Sequence, residues 1–279
     1  MNNYSPELSG KLMLKRFFGR MVGARSHPAC EPLSVRVLIY HNITDRLVGR
    51  EWAQMTTPRS LFDEQMGYLK SEGYKVVPAE EVRPLLASGS EGSGKVISVT
   101  FDDGYKDNYR NALPILSKYG FKGTVFMTTG YIGRSGGELC DCLNKEDIRQ
   151  MSDSGVFTFG SHSVSHVKLS QIDKESVRRE VALAKSILEE LLSRKVTVFA
   201  YPYGWQDSFN DDVIDAVRKA GYEGAFTGIH GANRGGADLF RLRRMRVSWA
   251  DDIDDFRRML NGSYDWYSLY QGMVSICKR

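Results

Sequence analysis

Lys95-Val-Ile-Ser-Val-Thr-Phe-Asp-Asp-Gly104 is the stretch from which the fold is read. Lys95 to Phe101 is the clearest strand in the chain, and two carboxylates and a glycine follow it. Upstream, Val35-Arg-Val-Leu-Ile-Tyr40 reads as a first buried strand. Thr57-Pro58 then caps a helix in which Leu61, Phe62, Gln65, Met66 and Leu69 recur at helical spacing. A short strand at 74–77, a helix near 80–86 and a Gly/Ser loop at 88–94 complete that side. Downstream, strands are expected at 123–128, 156–160, 197–201 and 222–227, with helices between them. The longest helix runs from about Asp173 to Ser193. Strand and helix in turn, with no break in composition after residue 35, predict a parallel sheet covered by helices.

The length of 279 residues suits one α/β barrel as well as two small domains. A net charge of +4, spread along the chain and without an aromatic-and-basic stripe, argues against nucleic acid as a partner. Cys30, Cys140, Cys142 and Cys277 are too few and too scattered for a disulfide framework. All four read as free thiols, which leans toward a reducing compartment. No run reaches the roughly 20 apolar residues of a membrane span, and no signal peptide is legible. The expected location is therefore cytoplasmic or peripheral to a membrane. In Lys11-Leu-Met-Leu-Lys-Arg-Phe-Phe-Gly-Arg-Met-Val22, a helix would gather Met13, Leu14, Phe17, Phe18 and Met21 on one face, with basic residues opposite. Such a segment could lie on an anionic membrane or pack on the protein body. Residues 1–34 are read as an N-terminal extension carrying this helix, and 35–279 as the catalytic domain.

The chemistry-bearing residues sit at the ends of successive strands. Asp102 and Asp103 follow one, His162 and His166 a second, Tyr203 a third and His41 the first. In parallel barrels those ends form one rim, where active sites lie. In Ser161-His-Ser-Val-Ser-His166 the two imidazoles are four residues apart, which on one helical turn points both to the same side. Two histidines and a carboxylate leave a divalent ion one open position, as in catalytic zinc sites. Adjacent carboxylates repel and are costly to bury together, and a cation relieves that cost. One aspartate can then bind the ion while the other takes a proton from water acidified by it. Gly104 is expected to turn the backbone sharply and leave room for substrate. Zinc is the leading choice, with cobalt, nickel or manganese also suited to these ligands.

Thr100-Phe-Asp-Asp-Gly104 followed by His162-Ser-Val-Ser-His166 resembles the polysaccharide deacetylases of the NodB-homology type, carbohydrate esterase family four. The likeness covers most of residues 35–260. It implies a distorted, incomplete (β/α) barrel, with Asp102 as general base and Asp103, His162 and His166 as metal ligands. Phe199-Ala-Tyr-Pro-Tyr-Gly204 is similar to the family's Arg-x-Pro-Tyr segment, but Ala200 stands where the arginine that orients the base is expected. Pro202 fixes the turn, so the Tyr203 N–H can donate to an oxyanion. Neither a clear Asp-x-x-Asp-Trp nor a C-terminal Leu-x-x-His is present. Ile39-Tyr-His-Asn42 resembles instead the start of the poly-β-1,6-N-acetylglucosamine deacetylase subgroup, whose barrel looks circularly permuted and whose early histidine serves as general acid. Arg241-Leu-Arg-Arg-Met-Arg-Val247 resembles that subgroup's closing segment and contains candidates for the missing arginine.

The expected activity is metal-dependent removal of N-acetyl groups from N-acetylhexosamine units of an oligo- or polysaccharide. The alternatives are deacylation of another envelope-glycan sugar or small amide, and a non-catalytic glycan-binding barrel. Of the remaining histidines, His27 lies in a polar lead-in and His230 in a glycine-rich segment expected to be mobile. His41 is therefore the expected acid.

Overall fold

The computed structural model describes residues 33–46, 50–88, 95–135 and 141–276. The amphipathic segment 11–22, His27, most of the loop at 88–94 and three of the cysteines lie outside these residues. In chain order the elements are β1 (Ser34–Tyr40), β2 (Asn42–Ile43), β3 (Thr56–Thr57), α1 (Arg59–Ser71), β4 (Lys75–Val77), α2 (Val82–Ala87), β5 (Val96–Asp103) and α3 (Leu113–Tyr119). There follow β6 (Gly123–Met127), α4 (Lys145–Asp153), β7 (Phe157–Ser161), α5 (Lys174–Leu192), β8 (Val198–Ala200), α6 (Asp211–Lys219), β9 (Gly224–Phe226), β10 (Asn233–Arg234), β11 (Met245–Arg246), α7 (Ile253–Leu260) and α8 (Tyr267–Ile276).

Local chemistry sets most of these limits. Asp173 starts α5 by accepting from the N–H groups of Glu175 and Ser176, and Ser193 ends it in a left-handed conformation. The start of α1 differs from expectation. Thr57 belongs to β3, and Pro58 occupies the cap position with no side-chain hydrogen bond. Phe62, Gln65, Met66 and Leu69 are the buried face of α1, as their spacing predicts.

The main sheet runs β10-β1-β5-β6-β7-β8-β9, with β11 beside β1 and β4 beside β5. Only β10 is antiparallel to its neighbour. Parallel strands need both faces covered, and two apolar clusters supply that. The larger lies between the sheet and the helices and includes Phe62, Phe101, Met127, Phe157, Val181 and Val217. The smaller fills the inside of the curled sheet with Val35, Val37, Val77, Leu86, Val96, Phe126 and Leu242.

Residues 242–247 lace the two edges of the curl together. The Leu242 N–H donates to Ala225 O, the Thr227 N–H to Leu242 O, and the Val247 N–H to Ile39 O. The result is a curled α/β half-barrel whose strand ends share one rim. Among the described residues no helix is long and apolar enough to cross a membrane.

Candidate active site

Asp102 and Asp103 close β5 rather than follow it, paired with Phe126 and Met127 of β6. In a regular strand, neighbours point to opposite faces. Asp103 escapes that rule because its φ is 72°, and its Oδ1 lies 3.3 Å from His166 Nε2 and 3.8 Å from His162 Nε2. Gly104 follows at φ 85°, and a Cβ there would meet the Met127 sulfur at 2.5 Å. The space at Gly104 thus serves packing by Met127, where the sequence had suggested room for substrate.

The two histidines do not share a helical turn. They flank a loop in which Ser163 and His166 take φ values of 65° and 57°. Bonds within the loop and to a neighbouring helix hold it. The Ser163 hydroxyl accepts from the His166 N–H, and the carboxylate of Glu180 on α5 accepts from the N–H groups of Val164 and Ser165. Ligand atoms of Asp103, His162 and His166 all lie within 4.8 Å of one another.

These residues fit a divalent ion. The His162 Nδ1–H donates to Ala200 O at 2.7 Å, so its Nε2 carries the free lone pair. Burial pushes the His162 pKa down, which keeps the ring neutral as a ligand must be. Asp103 Oδ1 is buried without a hydrogen-bond donor, the kind of orphaned acceptor that a cation satisfies.

Arg244 supplies the guanidinium that Ala200 cannot. Its Nη1 and Nη2 reach the two Asp102 carboxylate oxygens at 2.7 and 2.8 Å, and its Nε donates to Thr227 O. The guanidinium also lies 5.2 Å from the Phe126 ring centroid. Burial alone would raise the Asp102 pKa, but Arg244, with help from His162, holds it well below the usual carboxylate range.

His41 directly follows β1 at the same rim and is buried, with its Nδ1 unpartnered among the described residues. Burial pushes its pKa down to about 4, against the opposing pull of Asp102 and Asp103. Tyr203 is half exposed with φ 62°, its ring centroid 4.8 Å from that of His166. His230 is buried rather than loosely held. Its N–H donates to Gln271 and its ring meets Tyr267 edge-on at 5.7 Å. Cys142 is a buried free thiol whose pKa burial raises to about 11.

Arg244 and Arg246 both lie in the cluster of four arginines from which the sequence singles out none, and no motif in the sequence marks Glu180 or Trp205. A usable signal was present in Arg244-Met-Arg-Val247, where charged and apolar residues alternate with strand period.

The profile of the polysaccharide deacetylase family matches residues 89–225. The chain is 31% identical to YxkH of Bacillus subtilis (strain 168), a protein named as a polysaccharide deacetylase, over 78% of this chain and 73% of that one. It is 27% identical to the poly-β-1,6-N-acetyl-D-glucosamine N-deacetylase of Staphylococcus aureus (strain MRSA252) over 64% of this chain, and spans 63% of that enzyme. The solved structure of the Streptococcus pyogenes deacetylase PplD in complex with acetate superposes with a TM-score of 0.72. That match has 26% identity and covers 82% of this chain and 99% of the other.

Proposed function

Because this chain belongs to the polysaccharide deacetylase family, we propose that it hydrolyses N-acetyl groups from N-acetylhexosamine units of an oligo- or polysaccharide, using a divalent ion held by Asp103, His162 and His166. The observation that carries the proposal is the close approach of those three ligands beside a second carboxylate already paired with Arg244.

A divalent ion on these ligands would acidify a coordinated water and polarise the acetamide carbonyl. Asp102 accepts the proton of the attacking water. Its bidentate pair with Arg244 fixes the carboxylate's orientation and keeps it ionised at neutral pH. The Tyr203 N–H, which no described residue accepts, donates to the oxyanion of the tetrahedral intermediate. His41 hands a proton to the departing amine. It is neutral at rest because it is buried, and it takes that proton up from solvent as negative charge develops beside it, while Asp102 returns to solvent the proton it took from the water.

The test is acetate release from defined β-1,4 and β-1,6 N-acetylglucosamine oligomers before and after chelation. Activity should vanish with a strong chelator and return with zinc or cobalt. Full activity in verified metal-free protein would refute the metal's role, and release from neither oligomer would refute the substrate class.

A further inference from the structure

Arg244 faces the inside of the curl, where it meets Asp102. Strand residues two apart share a face, so Arg246 of β11 points the same way, one step nearer the rim. Met245 and Val247 between and beyond them pack outward into the larger core. Of the two site carboxylates, Asp102 is paired with Arg244, and Asp103 faces the two histidines, where it would hold the divalent ion.

Arg246 is half buried, yet among the described residues no carboxylate lies within salt-bridge distance and no acceptor takes its N–H groups. The contrast with the other arginines of this region is sharp. Arg36 holds Asp265 with two hydrogen bonds, and Arg244 holds Asp102 with two. A guanidinium partly withdrawn from water without such a partner is costly, and a ligand that supplies one recovers that cost. Asp102, Asp103 and Tyr267 act on Arg246 electrostatically without pairing with it, and the Trp205 ring centroid lies 5.4 Å from its guanidinium. Trp205 is 40% exposed and Tyr203, two residues before it, is 50% exposed. Tyr203 meets His166, and Trp205 meets Arg246.

Resting on the deacetylase reading above, we propose that Arg246 and Trp205 form a subsite for a glycan bearing an anionic substituent, a carboxylate or a phosphate, at or next to the sugar that is deacetylated. Trp205 takes the apolar face of the sugar. Arg246 donates to the anionic oxygens, for which its planar fork is suited. Any cation held by the neighbouring triad adds to the positive potential there, so a neutral glycan would leave the mouth uncompensated.

The experiment compares three disaccharides on the metal-loaded enzyme: N,N′-diacetylchitobiose, N-acetylglucosaminyl-N-acetylmuramic acid, and the 6-phosphate of diacetylchitobiose. One anionic probe should exceed the neutral one in kcat/KM by about 10–100-fold, the worth of a charge-assisted pair, and chiefly through KM. Which probe it is separates carboxylate from phosphate. Arg246→Gln should remove that preference, Arg246→Lys should keep part of it, and added salt should shrink it. Equal use of all three probes by the wild type, or an equal loss on all three in Arg246→Gln, would overturn the subsite. Calorimetric binding of the same disaccharides keeps the test independent of turnover. Anion-selective binding that is lost in Arg246→Gln, without acetate release from any probe, would retain the subsite and reject the deacetylase reading. Binding that ignores charge would reject the subsite.

Discussion

The inside of the curled sheet has two ends made from the same strands, and they are built on opposite principles. Along β5 the inward positions read Val96, Ser98, Thr100, Asp102 from the bottom to the rim. At the bottom, Val96 joins Val35, Val37, Val77, Leu86 and Leu242 in a dry cluster where any well-fitting apolar neighbour serves. At the rim, Asp102 needs Arg244 and His162 needs the Ala200 carbonyl, so specific polar partners replace interchangeable apolar ones. Of the five non-glycine residues with positive φ among the described residues, four, Asp103, Ser163, His166 and Tyr203, also gather at the rim. Each such conformation costs roughly 1–3 kcal/mol, stability given up to hold a site. The bottom stabilises the fold that the rim strains.

Variants can break or sharpen this contrast. The largest effect is expected from Asp102→Asn, which should lower kcat by about 10²–10⁴ in steady-state assays of acetate release. A near-normal kcat would remove Asp102 from the chemistry. The same change leaves Arg244 buried and unpaired, so it also costs stability.

Arg244→Gln strands the Asp102 charge in turn and should cost about 3–5 kcal/mol in denaturant unfolding. The double variant Asp102→Asn/Arg244→Gln should be more stable than either single variant while remaining inactive. Additive losses would mean that the pair is not coupled.

At the bottom, Leu86→Ala should lose about 2–5 kcal/mol of stability and leave kcat within roughly threefold. Loss of activity without loss of stability would show that the two ends are not separate in function.

The smallest effect concerns His41 in the metal-free protein. Its pKa is about 4 when folded, against an unfolded value of about 6.5. Above 6.5 both states hold it neutral and its contribution is complete. As pH falls from there to about 4, only the unfolded chain takes up the proton, so stability declines, by about 3 kcal/mol at most. His41→Gln should flatten unfolding free energy against pH across that window. An unchanged slope would assign the acid sensitivity to another group.

Sequence by itself determined the strands and helices with hydrophobic period, and the donor types at strand ends. Period follows from local geometry, which is why Phe62 to Leu69 and the α5 caps were legible residue by residue. It also determined that Asp102, Asp103, His162 and His166 would lie together, because parallel strands end at one rim. Only the tertiary structure decided that the histidine pair sits on a left-handed loop braced by Glu180, since that loop depends on a carboxylate from another element. It alone picked Arg244 from the four arginines of residues 241–246. The choice was made by the register of β11 against β1, more than 140 residues along the chain from Asp102, and no local pattern encodes a register of that kind.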